Sequence, residues 1–256
     1  MPPALRTLLA PLSGHAGVLL PAIRARLVEP DIARGLAEAL AEWGAAAAPA
    51  VPELIRLIGT DATIEAARAL AAIGPAAADA ASVLDAPLGT QNPWVARQTA
   101  AVLPWAVWKV TGDPARLLAA LAEGLDPRSH HQLPYIADLG PLAAAHADRL
   151  RALLDVRSHW TSVEAAHAYY QATGDAEAAE RVLSPEAHEL AAGRYLPVRW
   201  AAMRYLAQIS PAAPDVQRAA RTILSSDRRH HYGNGWCAFT EDRELRDLAS
   251  RLLDEA

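Results

Sequence analysis

The stretch AARALAAIGPAAADA, residues 66–80, decides how the rest of the chain is read. Its apolar positions Ala67, Leu70, Ala71 and Ile73, with Ile64 just upstream, recur at three- and four-residue intervals, which places them on one face of an α-helix. Gly74 tolerates the left-handed conformation with which helices commonly end, and Pro75 cannot donate the hydrogen bond that would prolong the helix. A shorter helix is predicted to follow. Working outward, comparable endings stand at Glu42-Trp43-Gly44, Ala72-Ile73-Gly74, Val110-Thr111-Gly112, Asp138-Leu139-Gly140, Ala172-Thr173-Gly174 and Gln208-Ile209-Ser210, at intervals of 30, 38, 28, 34 and 36 residues. A recurrence of that size marks a repeat architecture in which each unit is one supersecondary element.

Two internal matches support repetition. Leu70, Ile73, Gly74, Pro75, Ala76 and Ala77 correspond to Leu206, Ile209, Ser210, Pro211, Ala212 and Ala213 at a shift of 136, and Trp108, Thr111, Gly112 and Asp113 correspond to Tyr170, Thr173, Gly174 and Asp175. In the second match glycine closes one helix and aspartate accepts from the free N–H groups that open the next. Composition agrees. Hydrophobic residues make up 52% of the chain, much of it alanine, whereas aromatics are only 5%, and no stretch alternates as a strand would. The fold class is all-α.

Segments 66–80, VRWAAMRYLAQISPAAPDV (198–216) and WAVWKVTGDPARLLAAL (105–121) resemble HEAT repeats, in particular the divergent bacterial, actinobacterial type, over roughly residues 30–225. The resemblance implies a right-handed α-solenoid of about six helical hairpins, whose second helices line a concave face, closed by a C-terminal capping helix. One repeat domain, 1–256, is expected: 1–30 a cap or degenerate repeat, 31–214 regular repeats, 215–256 a less regular repeat and cap. Second helices are predicted near 31–43, 61–73, 93–110, 129–139, 159–172 and 197–209, the third kinked at Pro104.

Net charge is −5, which offers nucleic acid or an anionic membrane no attraction by the molecule as a whole. The single cysteine, Cys237, excludes an internal disulfide framework. No apolar run approaches the roughly 18 residues of a membrane span, so a cytoplasmic protein is expected. Neither the oligomeric state nor the completeness of the chain can be read from these features.

No Walker A loop, G-x-G-x-x-G, H-E-x-x-H or G-x-S-x-G motif is present, so no catalytic residue is assigned and the chain reads as a scaffold more than an enzyme. No cofactor and no metal is expected: the histidines at 130, 131, 159, 167, 188, 230 and 231 lack ligand spacing, since neighbours on a helix diverge by about 100°. Trp105 and Trp108 read as packing between repeats. His159, Trp160, Arg199, Trp200 and Arg204, near the starts of second helices, are the candidate partner-binding residues, because tryptophan and arginine often anchor interfaces. Between residues 194 and 229 seven arginines face only two aspartates, and Arg218, Arg221, Arg228, Arg229, His230 and His231 form the candidate anion-binding set. The expected partner is a protein on the concave face. The alternatives are nucleic-acid binding or repair, as in HEAT-like alkylpurine DNA glycosylases, at the C-terminal basic patch, and a lyase related to the bilin lyases that share such repeats.

Overall fold

The computed structural model describes residues 5–89, 93–123, 125, 130–209, 213–233 and 237–254. Among them every regular element is a helix, as the sequence predicts. The chain forms two compact units, Met1–Gly124 and Leu125–Ala256.

The first unit comprises α1 (Leu5–Leu9), α2 (Ala16–Arg26), α3 (Pro30–Trp43), α4 (Val51–Leu57), α5 (Thr63–Ile73), α6 (Ala81–Asp85), α7 (Pro93–Thr111) and α8 (Ala115–Glu123). The long helices α3, α5 and α7 lie side by side with α5 in the middle, and α4, α6 and tight 3-10 turns at Gly44–Ala50 and Gly74–Ala80 form a second layer against them. α5 can sit between two neighbours because Ala66, Ala67, Ala69 and Ala71 are all buried, and small side chains on both sides let the backbones approach. Its larger residues Leu70 and Ile73 are buried with them. α7 runs through Pro104 as one helix.

The second unit comprises α9 (Leu133–Ala137), α10 (Ala147–Arg151), α11 (His159–Thr173), α12 (Ala176–Ala191), α13 (Pro197–Leu206), α14 (Pro214–Ser225) and α15 (Cys237–Asp254). Here α11 packs on α9 and α13, and α13 on α15; α12 backs α11 and α13, and α14 backs α12 and α15. The helix predicted at 129–139 is confined to Leu133–Ala137, and the one predicted at 197–209 ends at Leu206. Residues 126–129 and Ser210, Pro211 and Ala212 of the internal match lie outside the described residues.

Gly174 closes its helix in the left-handed conformation that the sequence implies (φ 74°, ψ 6°), whereas Gly44 and Gly74 pair a positive φ with ψ of −130° and −142°. Gly74 has φ of 73°, where a side chain would be strained, and Gly44 and Gly140 share that conformation at 54° and 53°. Each opens a 3-10 turn with the same buried pattern, alanine three residues on (Ala47, Ala77, Ala143) and leucine ten residues on (Leu54, Leu84, Leu150). The Ala72 carbonyl lies 3.5 Å from the place a Cβ on Gly44 would take, and the Gln171 carbonyl 3.7 Å from that on Gly140, so the end of the next long helix abuts the turn. The Thr-Gly-Asp caps also form: Asp113 accepts from Ala115 N at 2.9 Å and Asp175 from Ala178 N at 3.0 Å.

Two helical stretches, Leu5–Arg26 and Thr63–Asp85, have the length and composition to cross a membrane, contrary to the expectation that no run approaches that size. Both are interrupted by 3-10 turns, at Ala10–His15 and Gly74–Ala80, so neither is one straight rod of about 20 helical residues. Leu70 and Leu206 are fully buried. Leu70→Ala or Leu206→Ala is expected to destabilise by about 2–4 kcal/mol in denaturant titrations; an unchanged midpoint would mean the helix faces are assigned wrongly.

Candidate partner-binding face

In the second unit one stripe of polar and aromatic side chains crosses neighbouring helices. On α11, Trp160, Glu164, His167 and Gln171 follow one another at steps of four, three and four, which keeps them on a single face. From α13 and the turn after it, Arg204, Tyr205 and Gln208 meet them. Tyr205 donates its hydroxyl to Glu164 Oε2 at 2.6 Å, and its ring stacks on the His167 imidazole with centroids 3.9 Å apart and planes 6° from parallel. His167 Nε2 lies 3.1 Å from Gln208 Oε1, which also accepts from Gln171 Nε2 at 3.3 Å. Gln171 Nε2 also lies 3.2 Å from His167 Nε2, so both glutamines meet that one ring nitrogen, while Nδ1 is buried without a hydrogen-bond partner. Arg204 extends the stripe to α15 through a fork on Glu244, Nη2 to Oε2 at 3.1 Å.

Electrostatics make this seam unusual. Burial pushes the Glu164 carboxyl up to about 7, against the opposing pull of the Tyr205 hydroxyl and the Arg204 charge. Burial lowers the His167 imidazole, opposed by its bond to Gln208, and raises the Tyr205 phenol. Glu164, raised in the fold from an ordinary 4.5, contributes stability that is complete below that ordinary value and is lost as pH rises through about 7. His167, lowered from 6.5, contributes stability present above that value and lost as pH falls through its depressed one. Glu164→Gln is expected to remove a loss of about 2–3 kcal/mol that accrues as pH rises from about 4.5 to 7, in unfolding curves measured between pH 4 and 8; an unchanged slope would place that loss elsewhere.

At the start of α11 a second cluster forms. Ser158 caps the helix by accepting from Thr161 N. His159 Nδ1 lies 2.6 Å from Glu186 Oε1, while the other oxygen of that buried carboxylate takes Arg199 Nε at 3.0 Å. Arg199 also reaches Glu189 at 3.3 Å and the Arg194 carbonyl. The imidazole itself stays largely exposed. Beside it the Trp160 indole is 36% exposed and lies near-parallel to the His130 ring, 5.8 Å between centroids.

The residues expected to bind a partner therefore divide. His159, Trp160 and Arg204 are at the surface, but Trp200 is wholly buried and Arg199 is 8% exposed, so these two belong to the core. The reason is that α13 is enclosed by α11, α12 and α15. The basic stretch divides too. Arg218, Arg221, Arg228 and Arg229 are exposed, Arg221 bonding Gln217 at 3.1 Å and Arg229 lying 4.0 Å over the Phe239 ring. His230 is instead buried, held by the Ile223 carbonyl, the Tyr195 hydroxyl and Asp242. His231 Nδ1 lies 2.8 Å from the Gly233 carbonyl. Trp105 and Trp108, expected to pack between repeats, are half-buried, with the Lys109 ammonium 5.8 Å and 4.9 Å from their ring centroids.

In the first unit a cavity of about 750 Å³ opens beside Arg34, Asp31, Asp61 and Thr63, lined by two carboxylates and one guanidinium. Below it Arg34 pairs with the buried Glu65 at 3.1 Å. Among the described residues no group of three or more histidine, cysteine, aspartate or glutamate side chains is placed to hold a metal ion. Compared with known protein families, characterised proteins and solved structures, the chain matches none of them.

Proposed function

We propose that this chain is a non-catalytic adaptor that holds a protein partner on the face carrying α11 and α13. In this reading both units belong to one HEAT-like repeat array, a right-handed solenoid of about six hairpins with α15 as its cap, and the long helices supply the concave side. The observation that carries it is the stripe itself. Trp160 offers an exposed aromatic anchor, and His167, Gln171 and Gln208 fix one another, so little side-chain freedom is lost when a partner docks. A protein suits this face better than nucleic acid, because Arg204, the cation of the stripe, is already forked onto Glu244.

The chain, purified at moderate salt, is expected to retain a stoichiometric protein. With that protein in hand, Trp160→Ala and His167→Ala should each weaken binding about tenfold or more by calorimetry, whereas Arg181→Ala on α12 should leave it unchanged. Equal affinity in all three variants would remove α11 from the interface.

A further inference from the structure

Docking on α11 and α13 makes no use of the arginines of α14 and of the turn that follows it. From Arg218 to Arg229 the chain carries four arginines and one acid, Asp227, in a protein whose net charge is −5. Arg218 and Arg221 stand three apart on α14 and share its exposed stripe with Thr222 and Ser225, which add hydroxyls and no carboxylate. Arg228 and Arg229 follow in the turn, and all four arginines are exposed. Little more than one helical turn and three further residues separate Arg221 from Arg228, so their Cα atoms are at most about 17 Å apart, close enough for one extended ligand to meet both.

Elsewhere carboxylates answer the arginines: Glu53 pairs with Arg24, Glu29 with Arg26, Glu189 with Arg194 and Glu244 with Arg204. Among the described residues none of Arg218, Arg221, Arg228 and Arg229 makes such a pair. Arg221 bonds the neutral Gln217 amide at 3.1 Å, and the Arg229 guanidinium lies 4.0 Å from the centroid of the Phe239 ring. Like charges gathered without counter-ions repel one another, and a ligand with several negative charges relieves that repulsion. Aromatic surface accompanies the charge: Phe239, at the start of α15, is 48% exposed, and Tyr232, three residues beyond Arg229, is 44% exposed. Arginine forks match phosphate oxygens, and exposed rings and guanidinium planes accept the flat face of a base. An acidic protein surface offers carboxylates but no bases, and a duplex keeps its bases stacked inside.

We infer that the exposed face of α14, with the turn to α15, binds single-stranded nucleic acid: Arg218, Arg221 and Arg228 hold phosphates, while Arg229, Phe239 and Tyr232 take unstacked bases. The contacts are to backbone and to base faces, so they carry little sequence preference. His230, the buried neighbour of these arginines, takes no part. The site does not rest on docking at α11 and α13, since neither α14 nor the turn belongs to that stripe.

Fluorescence anisotropy of the full chain tests this, with labelled oligothymidylate and oligouridylate of roughly 12 nucleotides, a duplex of the same length, and heparin as competitor. Both single strands are expected to bind, the tighter one showing whether DNA or RNA is preferred. The logarithm of affinity should fall against the logarithm of salt with a slope of about −2 to −3, as three or four phosphate contacts require. Replacing Arg218 and Arg221 together by glutamine should make that slope shallower by about 1.4. Phe239→Ala should weaken binding about fivefold or more and leave the slope unchanged; should it fail to fold, Phe239→Leu keeps the bulk and loses the ring. Arg26→Gln, which removes one charge from an arginine already paired, should change nothing. No binding of either strand at about 50 mM salt would overturn the site, as would an unchanged slope in the double arginine variant. Duplex binding as tight as single-strand binding, with no loss in Phe239→Ala, would reduce the patch to charge alone and overturn it equally. No protein partner enters these measurements, so a failed partner search leaves the site standing, and a failed titration leaves the docking face standing.

Discussion

Replacing Trp200 with alanine is expected to lower the free energy of unfolding by about 3–5 kcal/mol in denaturant titrations. The indole is fully buried, with Tyr232 edge-on at 5.0 Å and Tyr195 at 5.9 Å, and its Nε1 donates to the Glu241 carbonyl at 3.4 Å. It therefore joins α13 to the turn before α15 and to α15 itself. Its removal exposes apolar area worth about 25 cal/mol per Å² and leaves a cavity that helices packed on three sides cannot close. Trp200→Phe, which keeps most of the volume and loses one hydrogen bond, should fall between. A loss below about 1 kcal/mol for the alanine variant would mean the indole is not a keystone of this unit.

The second large effect concerns Arg199. Its guanidinium and the Glu186 carboxylate are both nearly out of water, and each neutralises the other. Arg199→Ala leaves Glu186 buried with only the exposed His159 imidazole beside it, and Glu189 and the Arg194 carbonyl lose a donor as well. The expected cost is about 3–5 kcal/mol, most of it the desolvation of a carboxylate left without its cation. The double variant Arg199→Met, Glu186→Gln should recover most of that loss, because a neutral pair of similar volume fits the same space. If the double variant is as unstable as the single one, packing of the arginine stem rather than the buried charge accounts for the effect.

Both residues show where reading the sequence reaches its limit. Arg199 and Trp200 sit near the start of a helix, where side chains commonly reach a rim, and their chemistry is that of interface anchors. Yet Val198, Ala201, Ala202 and Met203 are buried as well, because α13 is surrounded, and the period of one helix does not report how many neighbours it has. His230, in the segment between α14 and α15, is drawn into the core by partners distant in sequence, on α14, on α15 and in the turn after Gly193. The all-helical class, by contrast, followed from glycine stops at regular intervals, since each stop acts on its own few residues.

Some of the site was legible but not read. Glu164, His167 and Gln171 are spaced three and four apart on a helix otherwise rich in alanine, which marks a polar stripe. Ile64-Glu65-Ala66-Ala67 repeats as Val163-Glu164-Ala165-Ala166, and both glutamates are buried, one against Arg34 and one against Tyr205. The meeting of Tyr205 and Gln208 with that stripe depends on how α13 packs beside α11, and no local pattern encodes it.

Whether this face holds a protein is tested most directly by placing p-benzoyl-phenylalanine in the chain at Trp160, at Gln208 or at Arg181 and irradiating it in its native cell. Cross-links to one and the same protein from positions 160 and 208, and none from 181, are the expected result. Cross-links from 181 alone, or none from either position on the stripe, would contradict a partner held on α11 and α13.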